Sequence, residues 1–243
     1  GLYKYPQQRF PYEQLLEENR RRGRDQPEYE LVDTGIFDQS RYFDVFIEYA
    51  KASPDDIAIR IRAINRGPDP APLTLLPTLW LRNTWSWGYP DEQERPMQLE
   101  GDVLVAEPSG GLGRYELRSA DPGRWIFTDN ETNVARLYGA AAADDGRRYV
   151  KDAFHRYVVH GEHDAVNHEQ AGTKAALHYR RVVPARGSTV INLRLSPAGV
   201  KIVGDHFDFL HLFDVLGTAS NDGTRSAKAD VITYALAELE LID

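Results

Sequence analysis

The chain contains no cysteine, which excludes disulfides and thiolate metal sites. It lacks any apolar run near the ~18 residues that a membrane-spanning helix needs, so no membrane partner is expected. Positive charge is scarce: 29 Lys and Arg stand against 37 Asp and Glu, for a formal net charge of -8. That balance argues against nucleic acid as the main partner, because phosphate binding needs a basic face. Arg20-Arg21-Arg22 is the one dense basic cluster, and Asp25, Glu28 and Glu30 follow it, as at a solvated helix end. No secretory leader opens the sequence, which makes cytoplasmic the default location. Without such a leader the glycosylation pattern Asn130-Glu131-Thr132 carries little weight. Gly110-Gly111-Leu112-Gly113 lacks the Lys-Ser/Thr of a phosphate-binding loop and reads as a turn. The Gly-Xaa-Ser-Xaa-Gly elbow of serine hydrolases is absent.

What the chain does have is length and alternation. Its 243 residues suffice for one large domain or two small ones, and a single compact domain of this size buries roughly 70–75% of its unfolded surface. Pro11 to Arg22 reads as a short helix, with Pro in the first turn and Leu15 and Leu16 on one face. Period-two patterning follows. Tyr29–Thr34 reads as a strand. Arg41–Ala50 reads as another, with Phe43, Val45, Ile47 and Tyr49 on one side and Asp44 and Glu48 on the other. Ile57–Arg62 alternates most cleanly, and a turn at Asn65–Pro70 leads into Pro72–Leu81, a pairing expected to form a hairpin. Gly101–Ala106, Arg114–Arg118, Arg124–Thr128 and Val134–Tyr138 are further short strands, spaced as in sandwiches. Ala140–Arg148 reads as a surface loop and 149–172 as a long irregular one. Lys174–Val183 and Thr189–Leu195 return to strand character. Phe207–Phe213 and Ser226–Ile242 fit strand or helix equally. The fold expected is mainly β: an antiparallel β-sandwich over 1–196 with a short N-terminal helix. Residues 197–243 form an extension, open between completing the sandwich and a C-terminal helix.

Three of the four tryptophans fall in the run Leu79-Trp80-Leu81-Arg82-Asn83-Thr84-Trp85-Ser86-Trp87-Gly88. It begins as a strand, where Trp80 belongs to the core, and ends as a polar aromatic loop. Exposed indole calls for something to pack on it. Sugars stack on indole and offer hydroxyls to Arg and Asn; a docking domain needs the same residues. Arg82, Asn83, Trp85 and Trp87 are therefore read as sugar-facing or interdomain.

Several segments together resemble the large bacterial glucosidase-like proteins of glycoside hydrolase family 63. They are Leu2-Tyr3-Lys4-Tyr5-Pro6-Gln7, Glu28–Gly35, Tyr42-Phe43-Asp44-Val45, Leu76–Trp80 through Trp87, Asn130-Glu131-Thr132-Asn133, Lys151-Asp152-Ala153-Phe154-His155 and Gly172–Ala176. The resemblance runs over about residues 2–195. It implies a galactose-mutarotase-like supersandwich placed before an (α/α)6 barrel. In that family an Asp acid and a Glu base, both in the barrel, cleave α-glucosidic bonds with inversion. Inversion needs carboxylates roughly 6.5–9.5 Å apart. The chain is expected to start inside a longer leading segment and to stop before any barrel, so no catalytic residue carries over. Expected partners are the barrel and an oligosaccharide or small glucoside; no cofactor is expected.

Other constellations are weaker. His160-Gly161-Glu162-His163-Asp164 with His168 matches no established ligand spacing, so no metal is expected. Lys151, Asp152, His155 and His160 are read as interdomain or sugar-facing, with an ion pair and hydrogen bond among the first three shaping their loop. Asp33, Asp44, Glu48, Asp129 and Glu131 qualify as catalytic acids on spacing alone, and nothing selects two of them. The favoured reading is a non-catalytic sandwich that braces the barrel and lines its sugar cleft. The rivals are a mutarotase-like epimerase using His155 or His160, and a carbohydrate-binding module.

Overall fold

The isoleucines of Asp56–Asn65 explain the architecture. Ile57, Ile59 and Ile61 point to one side and are buried, while Arg60 and Arg62 point to the other, as the two-residue period of a strand requires. This strand is the third of a large antiparallel sheet in a computed structural model that describes residues 1–139, 146–200 and, for the backbone, 236–239. The sheet comprises β1 (Leu2–Pro6), β2 (Tyr42–Ser53), β3 (Asp56–Asn65), β6 (Met97–Glu100), β7 (Val103–Ala106), β8 (Tyr115–Ser119), β10 (Ala171–Gly172) and β12 (Ser188–Pro197). Its spatial order is β1-β2-β3-β12-β8-β7-β6-β10. Ile61 lies opposite Ile47 on β2 and Ile191 on β12.

A second antiparallel sheet faces it, built from β4 (Ala71–Leu75), β5 (Pro77–Trp80), β9 (Arg124–Thr128), β11 (Lys174–Val183) and β13 (Leu236–Leu239). Leu75 pairs with Tyr179 and Thr78 with Ala176. β4 and β5 thus keep one register along β11 and act as a single strand interrupted at Leu76. Phe43, Val45, Ile47, Ile191, Leu193 and Leu195 of the first sheet meet Leu73, Leu75, Leu79, Phe127, Leu177 and Tyr179 of the second. Each such side chain contributes about 1.5–3 kcal/mol on burial, so this interlayer core is the main stabilising element. The fold is a mainly β, antiparallel sandwich.

Several local expectations need correction. The Asn65–Pro70 turn does not close a hairpin: β3 and β4 belong to different sheets. The crossing is held by Asn65, which is fully buried. Its Nδ2 donates to the carbonyls of Asp69 (2.8 Å) and Val183 (3.1 Å), and its Oδ1 accepts from Gly67 N (2.8 Å) and Gln7 Nε2 (2.6 Å). Leu31–Thr34, read as strand, is a 3₁₀ turn closed by a reciprocal cap between Glu30 and Asp33. Val134–Tyr138, also read as strand, is the short helix α2, because the Asn133 side chain accepts from Arg136 N at 3.0 Å. The N-terminal helix α1 runs Tyr12–Arg21, one residue shorter at each end than read, with Pro11 as its N-cap rather than in its first turn.

Within 149–172, read as irregular, helix α3 (Ala153–Val159) covers the outer face of the second sheet. Phe154 and Tyr157 there join Leu76, Ile126, Ala165, Val166 and Ala176 in a smaller core. Trp80 is only half-buried. Asp44, placed opposite the apolar side of its strand and named among the acids on spacing alone, is buried between Lys4 Nζ (2.8 Å) and Arg66 Nε (2.7 Å). In the C-terminal extension, 236–239 is strand rather than helix and pairs antiparallel with β5. Residues 140–145 of the expected surface loop, Phe207–Phe213 and the remainder of Ser226–Ile242 lie outside the described residues.

Candidate functional site

The register of the second sheet assembles a rim. Lys174, which begins β11, lies opposite Trp80, which ends β5, and opposite Thr128, which ends β9. The loops that follow β5 and β9 and the one that precedes β11 therefore meet at one end of the sandwich. Buried polar groups lace them together. Leu81 N donates to Thr173 O (2.8 Å), Asn130 N to Thr173 Oγ1 (2.8 Å) and Asn130 Nδ2 to Leu81 O (2.9 Å). Thr173 is fully buried and Asn130 nearly so. Such satisfied networks fix loop positions because each unpaired member would cost its full desolvation.

On this base stands a charged and aromatic surface. Arg147 grips Glu94 with two 2.8 Å hydrogen bonds and lies 3.8 Å from Asp129. Glu131 accepts two 3.3 Å contacts from Asn83 Nδ2, and its carbonyl accepts from Lys151 N at 2.8 Å. Burial, the foremost cause, pushes the Asp129 carboxyl above its usual range, and the charges of Glu94 and Glu131 push the same way. The Thr173 amide and Arg147 pull against them. Arg147 is held more firmly protonated still, chiefly by its bonds to Glu94. Glu94 and Asp129 thus share one guanidinium, and the charge of Glu131 acts on it from nearby.

The aromatic part lies on the loop after β5. The guanidinium of Arg82 sits 4.6 Å over the Trp87 ring, and Trp87 meets Tyr89 edge-on at 6.1 Å. Trp87 and Tyr89 remain 52% and 58% exposed. α2, on the loop after β9, exposes Leu137 and Tyr138. The loop is pinned at Glu92, which accepts from Thr84 Oγ1 (2.8 Å) and from Ser109 Oγ. Those two bonds, Ser109 first, hold the Glu92 carboxyl below its ordinary range.

The structure separates the expected site residues. Arg82, Asn83 and Trp87 sit on the rim as read. Trp85 does not: it turns inward and packs against the main core. Its Nε1 is hidden and lacks a hydrogen-bond partner among the described residues. The cause is spacing, since Trp85 and Trp87 point to different sides of the one-turn 3₁₀ helix Thr84–Trp87.

Lys151 and Asp152 reach the rim from its other side, but without the expected trio. Asp152 accepts from Asn133 Nδ2 (3.0 Å) and Arg136 Nη1 (3.0 Å), not from Lys151 or His155. Lys151 is exposed and joins the network through its backbone. His155 and His160 lie at the outer side of α3, exposed, with their rings edge-to-face at 5.1 Å. Glu162 pairs with Arg156, and His168 with Asp164 at 3.3 Å. Among the described residues no three His, Asp or Glu side chains are grouped to hold a metal.

Of the acids named on spacing alone, Asp33 caps its turn (2.9 Å to Glu30 N) and Glu48 pairs with Arg60 (2.9 Å). Only Asp129 and Glu131 fall on the rim. Glu94, Arg147, Tyr89, Leu137 and Tyr138 were not anticipated. Their loops converge only through the β5–β11–β9 register, and alternation within a strand does not reveal its neighbours.

No helix among the described residues is long and apolar enough to cross a membrane. No family model matches the chain. It is similar to an uncharacterized protein of Saccharomyces cerevisiae, YMR196W, with 34% identity over 228 aligned residues, covering 78% of this chain. That match covers 21% of the yeast protein, so the chain spans about one fifth of the length of this relative.

Proposed function

We propose that this chain is a non-catalytic β-sandwich domain of a family 63-like glycoside hydrolase, and that its rim docks on a helical barrel carrying the catalytic acids. The observation that carries the reading is the uncovered rim. Trp87, Tyr89, Leu137 and Tyr138 stand exposed together with Arg82 and the Arg147 carboxylate cluster. Surfaces of that composition are enriched at interdomain and protein interfaces. The motifs from Leu2 to Ala176 support the family, and the greater length of the yeast relative is compatible with a domain set among others. In this reading 1–196 is the sandwich, and Leu236–Leu239 adds β13 to its second sheet. The protein is cytoplasmic and needs no cofactor, since inverting hydrolysis uses two carboxylates and a water.

The role of the domain is to fix the barrel's orientation and wall one side of the sugar cleft. The isolated 243-residue chain is then expected to leave an aryl α-glucoside intact. A longer protein joining it to the barrel is expected to hydrolyse the same glucoside, and to lose most of that activity with Trp87→Ala and Tyr89→Ala together. Turnover by the chain alone, with contamination excluded, contradicts the reading.

A second reading, a carbohydrate-binding module, draws on the Arg82–Trp87–Tyr89 platform, whose aromatic faces suit sugar C–H groups. Flat calorimetry against a panel of gluco-oligosaccharides removes it. The mutarotase-like reading finds less support. His155 and His160 face each other, and neither meets a carboxylate among the described residues.

A further inference from the structure

Helix α1 lies outside the sandwich and buries none of its side chains. One flank is fastened to the following segment. Asn19 Nδ2 donates to Tyr29 O (2.9 Å), its Oδ1 accepts from Tyr29 N (2.8 Å), and Gln14 Nε2 donates to Tyr29 OH (2.8 Å). The stripe adjoining Asn19 is open: Tyr12 and Leu16 are 65% and 57% exposed, with the Phe10 ring 4.5 Å from that of Tyr12. At about 100° per residue, Tyr12, Leu16, Arg20 and Glu13 fall within about one third of the helix circumference. Glu13 and Arg20 are seven residues apart and so share one side of the Tyr12–Leu16 stripe.

We infer that this flank is a self-association surface that takes the same helix of a second copy in antiparallel orientation. The charge arrangement selects that occupant. Glu13, Glu17 and Glu18 occupy the first part of α1, and Arg20 and Arg21 occupy its last turn. A parallel pair would set this charged side against the partner's uncharged Leu15 and Asn19 side and leave Glu13 and Arg20 unmatched. An antiparallel pair centred on Leu16 sets Glu13 of one copy beside Arg20 of the other, twice, by the two-fold axis. It also lays Arg20 near the partner's Tyr12 ring, a cation–π arrangement. Within one chain these charges are spare: Glu13 reaches only Arg9, at 3.9 Å, and Arg20 has no ion pair among the described residues. Leu16 against its own copy supplies the apolar centre.

Two ten-residue helices cover far less than the ~1,200 Å² of a standard interface, so the dimer is weak. Sedimentation of the whole 243-residue chain from micromolar to near-millimolar concentration is the test. It is run in a Trp87→Ala, Tyr89→Ala background, so that contact through the rim does not contribute. Concentration-dependent dimers are expected. Glu13→Arg alone and Arg20→Glu alone each convert two attractions into repulsions and raise the dissociation constant about tenfold. The double exchange, Glu13→Arg with Arg20→Glu, restores it to within about twofold by the same pairing logic. Circular dichroism confirms that each variant is folded. A monomer at every concentration overturns the inference, and so does a double exchange that fails to recover dimerisation.

Discussion

Asn130→Ala is the sharpest probe of how the rim is held. The native amide bridges two loops, with Nδ2 on Leu81 O at 2.9 Å and its backbone N on Thr173 Oγ1 at 2.8 Å. Alanine keeps the backbone bond and removes the amide. It leaves the carbonyl of Leu81, a residue 7% exposed, without that donor and opens a small gap. An unsatisfied buried carbonyl costs about 1–3 kcal/mol. A loss of about 2 kcal/mol is therefore expected, since the gap lies near the surface and water partly refills it.

In urea, with a slope of about 2–3 kcal/mol/M, the midpoint should fall by roughly 0.7–1 M, read by tryptophan fluorescence. Asn130→Asp adds a charge test. Its carboxylate would face the Leu81 carbonyl beside Asp129 and Glu131, so its folded pKa would rise above the unfolded value. The protonated form is then favoured in the fold, and the Asp variant should be less stable at pH 7 than at pH 4, relative to native. A midpoint for Asn130→Ala within about 0.2 M of native, equivalent to under ~0.6 kcal/mol, would refute the lacing.

Three further outcomes are expected. Gly172→Ala places a Cβ 2.3 Å from Thr128 O and should destabilise by about 2–3 kcal/mol through overpacking. Gly161→Ala, at φ +67 with open space around it, should cost only about 1 kcal/mol of backbone strain; thermal melts distinguish the two. His178 is held below its ordinary pKa by burial first, then by Arg180 and Arg124, while Tyr157 of α3 packs edge-on at 6.0 Å. The unfolded chain thus takes up the proton first, and stability falls as pH drops through about 6.5. His178→Gln should flatten that part of the stability–pH curve, and an unchanged slope would contradict the assignment. Arg194→Met leaves buried Asp56 without the guanidinium that binds both its oxygens. It should cost about 3–5 kcal/mol in urea unfolding, and Asp56→Asn added to it should recover a large part.

The sandwich was legible wherever one strand face is apolar. Arg124–Thr128 and Lys174–Val183 are strands with the bounds that alternation predicts, because their alternate side chains enter a core. Alternation misled where side chains capped the backbone instead. Glu30 and Asp33 close a 3₁₀ turn, and Asn133 starts α2, so local hydrogen bonds override β propensity. The Asn65 crossing was read as a hairpin because a turn between two strands has the same sequence signature whether it joins neighbours or layers. At the rim, Arg82, Asn83 and Trp87 were legible as a polar aromatic loop. Asp129 was no more than one acid among many until β9 and β5 were set on either side of β11. Glu94 and Arg147 belong to loops more than fifty residues apart, and no local pattern connects them.

The central claim is that the rim exists to be covered by further polypeptide. Hydrogen–deuterium exchange on the yeast relative tests it most directly, comparing the full-length protein with its segment matching this chain. Strong protection of the positions corresponding to 82–89 and 131–138 in the full-length protein, lost in the segment alone, is the predicted result. Equal exchange at those positions in both would contradict the account.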